Sequence, residues 1–136
     1  MLYDVSRKNF KPHDLRRIFM SVIDERLLEQ LSALIGGDKV IFHELIETFL
    51  EEGGDIVADM KRSLNDNDIE NLRRGAHSLK SSAQDFGATS LSELNATLEA
   101  QCKNGWPDNA AILTESIANA FSASAEELRQ YIENNR

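Results

Sequence analysis

A chain of 136 residues is the size of one domain and can bury one hydrophobic core. With 15 Lys+Arg against 23 Asp+Glu its formal charge is -8, a balance that repels a phosphate backbone and argues against nucleic acid as a partner. No apolar run approaches the ~20 residues of a membrane span, and a single cysteine, Cys102, forms no internal disulfide and has no metal-ligand spacing to the three histidines. The charge is unevenly spread. Residues 1–20 carry five basic side chains (Arg7, Lys8, Lys11, Arg16, Arg17) and two acidic ones (Asp4, Asp14), net +3, which leaves -11 for the rest. Residues 1–22 read as a polar, partly basic leader without the plan of a secretory signal, so the expected location is cytoplasmic. Residues 23–136 read as one domain.

Strand signals are scarce, and apolar residues recur at spacings of three and four. In "DERLLEQLSALIGG" the residues Leu27, Leu28, Leu31, Leu34 and Ile35 share one side before a glycine pair, which predicts a first helix over about 24–35. Asp38 offers an N-cap to the next segment, whose stripe of Ile41, Leu45, Phe49, Ile56, Met60 and Leu64 is interrupted at Gly53-Gly54. One kinked helix or two short ones would fit. The cluster "NDND" marks a turn, with Asn67 and Glu70 as a capping pair for the central helix. That helix has a clear core face in Ile69, Leu72, Ala76, Leu79, Ala83 and Phe86, and Gly87 suits its end. A further segment carries Leu91, Leu94, Leu98 and Cys102, the last of these read as a small core residue. Pro107 is placed to open the final helix, with Ala110, Leu113, Ile117, Ala120, Ser124, Leu128 and Tyr131 inside. Such helices bury their stripes only against one another. The predicted fold is all-α, an antiparallel up-down-up-down four-helix bundle with an additional short N-terminal helix.

One stretch of the central helix, "NLRRGAHSLKSSAQDFGA", concentrates basic and small residues around His77. At about 100° per residue, His77 projects roughly 130° from the middle of the apolar stripe and so points outward. Arg73 precedes it by one turn, and Lys80, Ser81 and Gln84 follow within two turns on the same flank, a local patch of donors suited to an anion. A neutral imidazole has one unprotonated nitrogen able to attack phosphorus, and its ordinary pKa of about 6.5 leaves it largely neutral near neutral pH. Exposure serves that chemistry, because the nitrogen must enter a partner's active site. Against this stands the plain reading of a histidine on a solvated helix face. His13, after Pro12 in the leader, and His43, between Phe42 and Glu44, lack clustered cations and read as structural or incidental.

The segment "AHSLKSSAQDFGATSLSELNATLE" resembles the signature of histidine-containing phosphotransfer (HPt) domains, a histidine followed by x-L-K, a pair of small residues and a glycine ten positions on. His77, Leu79, Lys80, Ser81, Ser82 and Gly87 fill those places, and Leu91 and the Leu98-Glu99 pair continue the pattern; the likeness runs over about 24–131 and is most specific over 68–99. The resemblance implies a four-helix bundle with the histidine exposed on its second bundle helix. It implies that His77 accepts a phosphoryl group from an aspartyl phosphate on one receiver domain and passes it to an aspartate on another, with Lys80 beside the phosphoryl group. Arg73, Ser81 and Gln84 become supporting residues, Gln84 through a hydrogen bond toward phosphate or imidazole. The implied partners are response-regulator receiver domains and a hybrid sensor histidine kinase. Such modules bind no cofactor and have no ATP site, and the receiver supplies Mg2+ and most of the catalysis. Many members have glycine where this chain has Ser81, which bears on docking geometry. The rival readings are the phosphoacceptor helix pair of a sensor kinase, for which the chain has neither the H-E box nor room for an ATP-binding domain, a degenerate HPt domain that binds receivers without transferring phosphate, and a non-catalytic four-helix adaptor that docks receivers or another acidic partner. The expected state is a monomer.

Overall fold

The computed structural model describes residues 21–136. The leader expected over 1–22 therefore lies, up to residue 20, outside the described residues. Five helices follow in order: α1 (Glu25–Leu34), α2 (Lys39–Asn65), α3 (Ile69–Asp85), α4 (Thr89–Cys102) and α5 (Ala110–Asn134), with no strand among the described residues. Short connections at 66–68, 86–88 and 103–109 turn each long helix back on the last. α2 packs on α3, α3 on α4, α4 on α5 and α5 on α2, so the four close into a ring, and α1 lies against α3. The expected bundle with an additional N-terminal helix is the fold observed. No described helix is long and apolar enough to cross a membrane.

The starts of the first three helices follow from local chemistry. Asp24, Asp38 and Asp68 each stand outside a helix and accept a hydrogen bond from a backbone N–H of its first turn, at Arg26, Ile41 and Asn71. For α3 this corrects the expected cap. Asn67 takes the left-handed conformation (φ 53°), which short polar side chains tolerate, and that turn hands the capping role to Asp68. Pro107 does not open α5; it stands buried in the loop, its carbonyl accepts from Ala110 N at 3.2 Å, and the helix begins at Ala110.

α2 is one continuous helix through Gly53-Gly54. At Gly53 the Phe121 ring of α5 leaves no room for a side chain: a Cβ there would stand 2.5 Å from Phe121 Cε1. The pair serves close packing and does not break the helix. The buried face of α2 is Phe42, Ile46, Phe49, Gly53, Val57, Met60 and Ser63, about one residue round from the expected stripe, whose Ile41 is exposed and whose Leu45, Ile56 and Leu64 are half-buried. On α5 the expected Leu113, Ala120 and Tyr131 are likewise half-buried, and Thr114, Ala118, Phe121, Ala125 and Ile132 join the core. Phe49 of α2 reaches both neighbours of its helix, stacked on Phe86 at the end of α3 at 4.6 Å and edge-on to Phe121 of α5 at 6.0 Å between centroids.

Two contacts fix α1 and the chain before it. Gly87 (φ 78°) ends α3, and its carbonyl accepts from Asp24 N at 2.8 Å in so close an approach that a Cβ would meet Asp24 O at 2.5 Å. Glu127 of α5 accepts from Ser21 Oγ and from Val22 N at 2.9 Å.

Candidate functional site

Rotation of α3 is set by Leu72, Ala76, Leu79 and Ala83, which are fully buried. That leaves His77 facing outward, with 60 % of its side chain exposed. α4 is seated by Leu91, Leu98 and Cys102, and the residue after Leu98, Glu99, falls on its flank toward α3. The two helices are tied beside the site by Ser92 Oγ, which donates to the Lys80 carbonyl at 2.8 Å.

Glu99 is the centre of the arrangement. Its side chain is only 9 % exposed, and its two oxygens take different partners: Oε1 lies 2.8 Å from His77 Nδ1 and Oε2 2.7 Å from Lys80 Nζ. A buried carboxylate is unfavourable unless paired and hydrogen-bonded, and here both conditions hold. The Lys80 hydrogen bond holds the Glu99 carboxyl below the usual carboxylate range; burial opposes this, and the His77 hydrogen bond reinforces it. An ionised carboxylate only accepts, so Nδ1 carries the hydrogen, and Nε2 is the ring nitrogen without a hydrogen-bond partner among the described residues, on a side chain that is 60 % exposed.

The flanking arginines are held by a second carboxylate. Arg73 makes a two-pronged contact with Glu70, at 2.5 Å from Nη2 and 3.2 Å from Nε, and Arg74 lies 3.6 Å from the same group. The Arg73 hydrogen bond holds Glu70 below its ordinary value. The expected patch of cations is thus a set of ion pairs, with Lys80 on Glu99 and Arg73 on Glu70. Ser81 and Gln84 are exposed, and among the described residues neither is hydrogen-bonded to His77. His43 stands by the Phe42 ring, with centroids 6.4 Å apart, and Cys102 is buried.

The residue that sequence reasoning missed as functional is Glu99. It was visible only as half of the Leu98-Glu99 pair, 22 residues beyond His77, because nothing local shows which side of α4 will face α3.

The family model described as Hpt domain matches residues 44–134. Among solved structures, the chain is similar to histidine-containing phosphotransfer protein B (HptB) from Pseudomonas aeruginosa PAO1, with TM-score 0.77 and 23 % identity over 85 % of this chain and 98 % of that one. It is also similar to the HPT domain of the Hpt sensor hybrid histidine kinase from Shewanella, with TM-score 0.66 and 13 % identity over 79 % of this chain and 92 % of that one. At these identities the two structures speak to the fold. A comparison with curated proteins gives no significant match. With the family match covering α3, the site and all but the start of the bundle, the chain belongs to the Hpt domain family, the histidine phosphotransfer modules of phosphorelays.

Proposed function

We propose that this protein is a phosphocarrier whose His77 takes a phosphoryl group from the aspartyl phosphate of one receiver domain and yields it to an aspartate of another. The observation that carries this reading is the shared carboxylate: Glu99 accepts from Nδ1 of an exposed ring and leaves the lone pair of Nε2 facing out. In a hydrolytic triad the same device orients an imidazole and stabilises its cationic form. Nε2 attacks phosphorus in line with the departing aspartate oxygen. Lys80 Nζ, a flexible point charge one turn along α3, turns from Glu99 toward the phosphoryl oxygens as they arrive, while Arg73, Ser81 and Gln84 line the approach. The upstream donor is the receiver of a hybrid sensor kinase and the downstream acceptor that of a response regulator. The receiver contributes the divalent metal, Mg2+.

The test is to mix the protein with a phosphorylated receiver and magnesium and to follow an acid-labile, base-stable phosphate. The wild type takes up label and His77→Gln takes up none. Equal labelling of the variant removes His77 from the reaction, and receiver binding without transfer leaves the adaptor reading in its place.

A further inference from the structure

We propose that Glu99 keeps the Nδ1 proton on the phosphorylated ring and thereby sets how readily His77 gives its phosphoryl group away. The inference rests on the reading of His77 as phosphoacceptor and adds a property of the stored state.

When the Nε2 lone pair bonds to phosphorus, the phosphorus–oxygen bond of the aspartyl phosphate breaks and its electron pair goes to the carboxylate. No proton is released. The ring becomes a cation, with hydrogen on Nδ1 and a phosphoryl group on Nε2. In the onward step the nitrogen–phosphorus bond breaks and its electron pair returns to Nε2. If Nδ1 has kept its proton, the departing group is neutral imidazole; if the proton has gone, it is an imidazolate, a far poorer leaving group. The Nδ1 proton therefore separates a labile store from an inert one.

Glu99 is placed to hold that proton. Its Oε1 is already 2.8 Å from Nδ1, its side chain is 9 % exposed, and Lys80 fixes the other oxygen at 2.7 Å. A carboxylate so little hydrated interacts with a cationic ring more strongly than one in water. Lys80 is 35 % exposed and can divide itself between Glu99 and the incoming phosphoryl oxygens, and whatever it gives to phosphate leaves Glu99 more dependent on the ring cation. Two other carboxylates on these helices are already bound, and Arg73, one turn before His77, also interacts electrostatically with Glu99. Glu70 on α3 holds Arg73 and Arg74, Asp59 on α2 is bound by Asn71 and Arg62, and the residue that caps α1, Asp24, is bound at Gly87 just past the end of α3, ten residues from His77.

The experiment uses the purified phosphoprotein, made from a phosphorylated receiver and freed of it. Glu99→Gln keeps the size and an acceptor oxygen but removes the charge. Losing about one unit of proton affinity lowers the protonated fraction, and with it the rate, by about tenfold where the pH lies well above the ring's own pKa and by less near it. Phosphate loss and transfer to a fresh receiver should slow by about that factor in mildly alkaline solution, with the gap closing as pH falls, and Glu99→Asp should recover part of the rate. Nitrogen NMR of the wild-type phosphoprotein, which needs no variant, should find Nδ1 protonated to about one pH unit above a phosphohistidine in an unstructured peptide. Wild-type rates in Glu99→Gln, or a wild-type ring that loses its proton with the peptide, would overturn the proposal while leaving His77 as acceptor. If the wild type takes up no phosphate, or His77→Gln takes up as much, the phosphoacceptor reading falls and this inference with it.

Discussion

Lys80 has two expected duties, and substitution separates them. In Lys80→Ala, Glu99 keeps His77 as a partner and the buried face of α3 is untouched. The variant should lose about 1 kcal/mol of stability and stay helical, while transfer slows by roughly 10- to 100-fold, the range of one hydrogen bond to a charged group at about 1.5–3 kcal/mol. Stopped mixing with a phosphorylated receiver, beside a denaturation curve, measures both; loss of helicity would make Lys80 structural. At this scale the sequence was informative where chemistry is local. His77 and Lys80 announce themselves by three-residue spacing on one helix, and the outward direction of His77 follows from the Leu72–Ala76–Leu79–Ala83 face. Glu99 was opaque because its role depends on how α4 is rotated against α3. Asn67 misled because its side chain suits a cap and a left-handed turn equally, and the backbone used it for the second.

At the level of elements, α3 was legible and α2 less so, for one reason. The outward side of α3 is polar, so its four buried positions stand out, whereas α2 meets both α3 and α5 and spreads apolar residues over a wide arc. Periodicity finds such an arc but not its middle. The paired glycines make the point experimentally. At Gly54 an added methyl would be 3.9 Å from Phe121, an ordinary contact, so Gly54→Ala should stabilise by about 0.5–1 kcal/mol through helix propensity. At Gly53 the same methyl collides with a ring packed against Phe49, so Gly53→Ala should destabilise by about 1–3 kcal/mol despite that gain. Urea denaturation of the two variants reads the opposite signs directly. If both stabilise, the α2–α5 approach is looser than described.

For the whole molecule, acid is the revealing variable. Glu99, Asp24, Asp59 and Glu70 all sit below their ordinary values of 4.5 for Glu and 3.8 for Asp, chiefly through hydrogen bonds from Lys80, Arg26, Asn71 and Arg73 respectively. A carboxyl whose folded value is depressed contributes its full stability above the unfolded value and loses it as pH falls through the folded one. Tm should therefore hold steady from neutral pH to about 5 and fall progressively below about 4.5, and the fall should be smaller in Glu99→Gln. A Tm that rises on acidification would contradict these pairings. The position of His77 has a further consequence. It is the ninth residue of α3, about 12 Å from either end of the helix, on the outer wall of the ring rather than among its loops. On the proposed phosphoacceptor reading, the bundle would carry half of a reaction vessel, and the other half would arrive with each partner. If a phosphoryl group is stored there, its lifetime between encounters rests on the chemistry of the ring and its Glu99 partner, and its delivery waits on the next meeting.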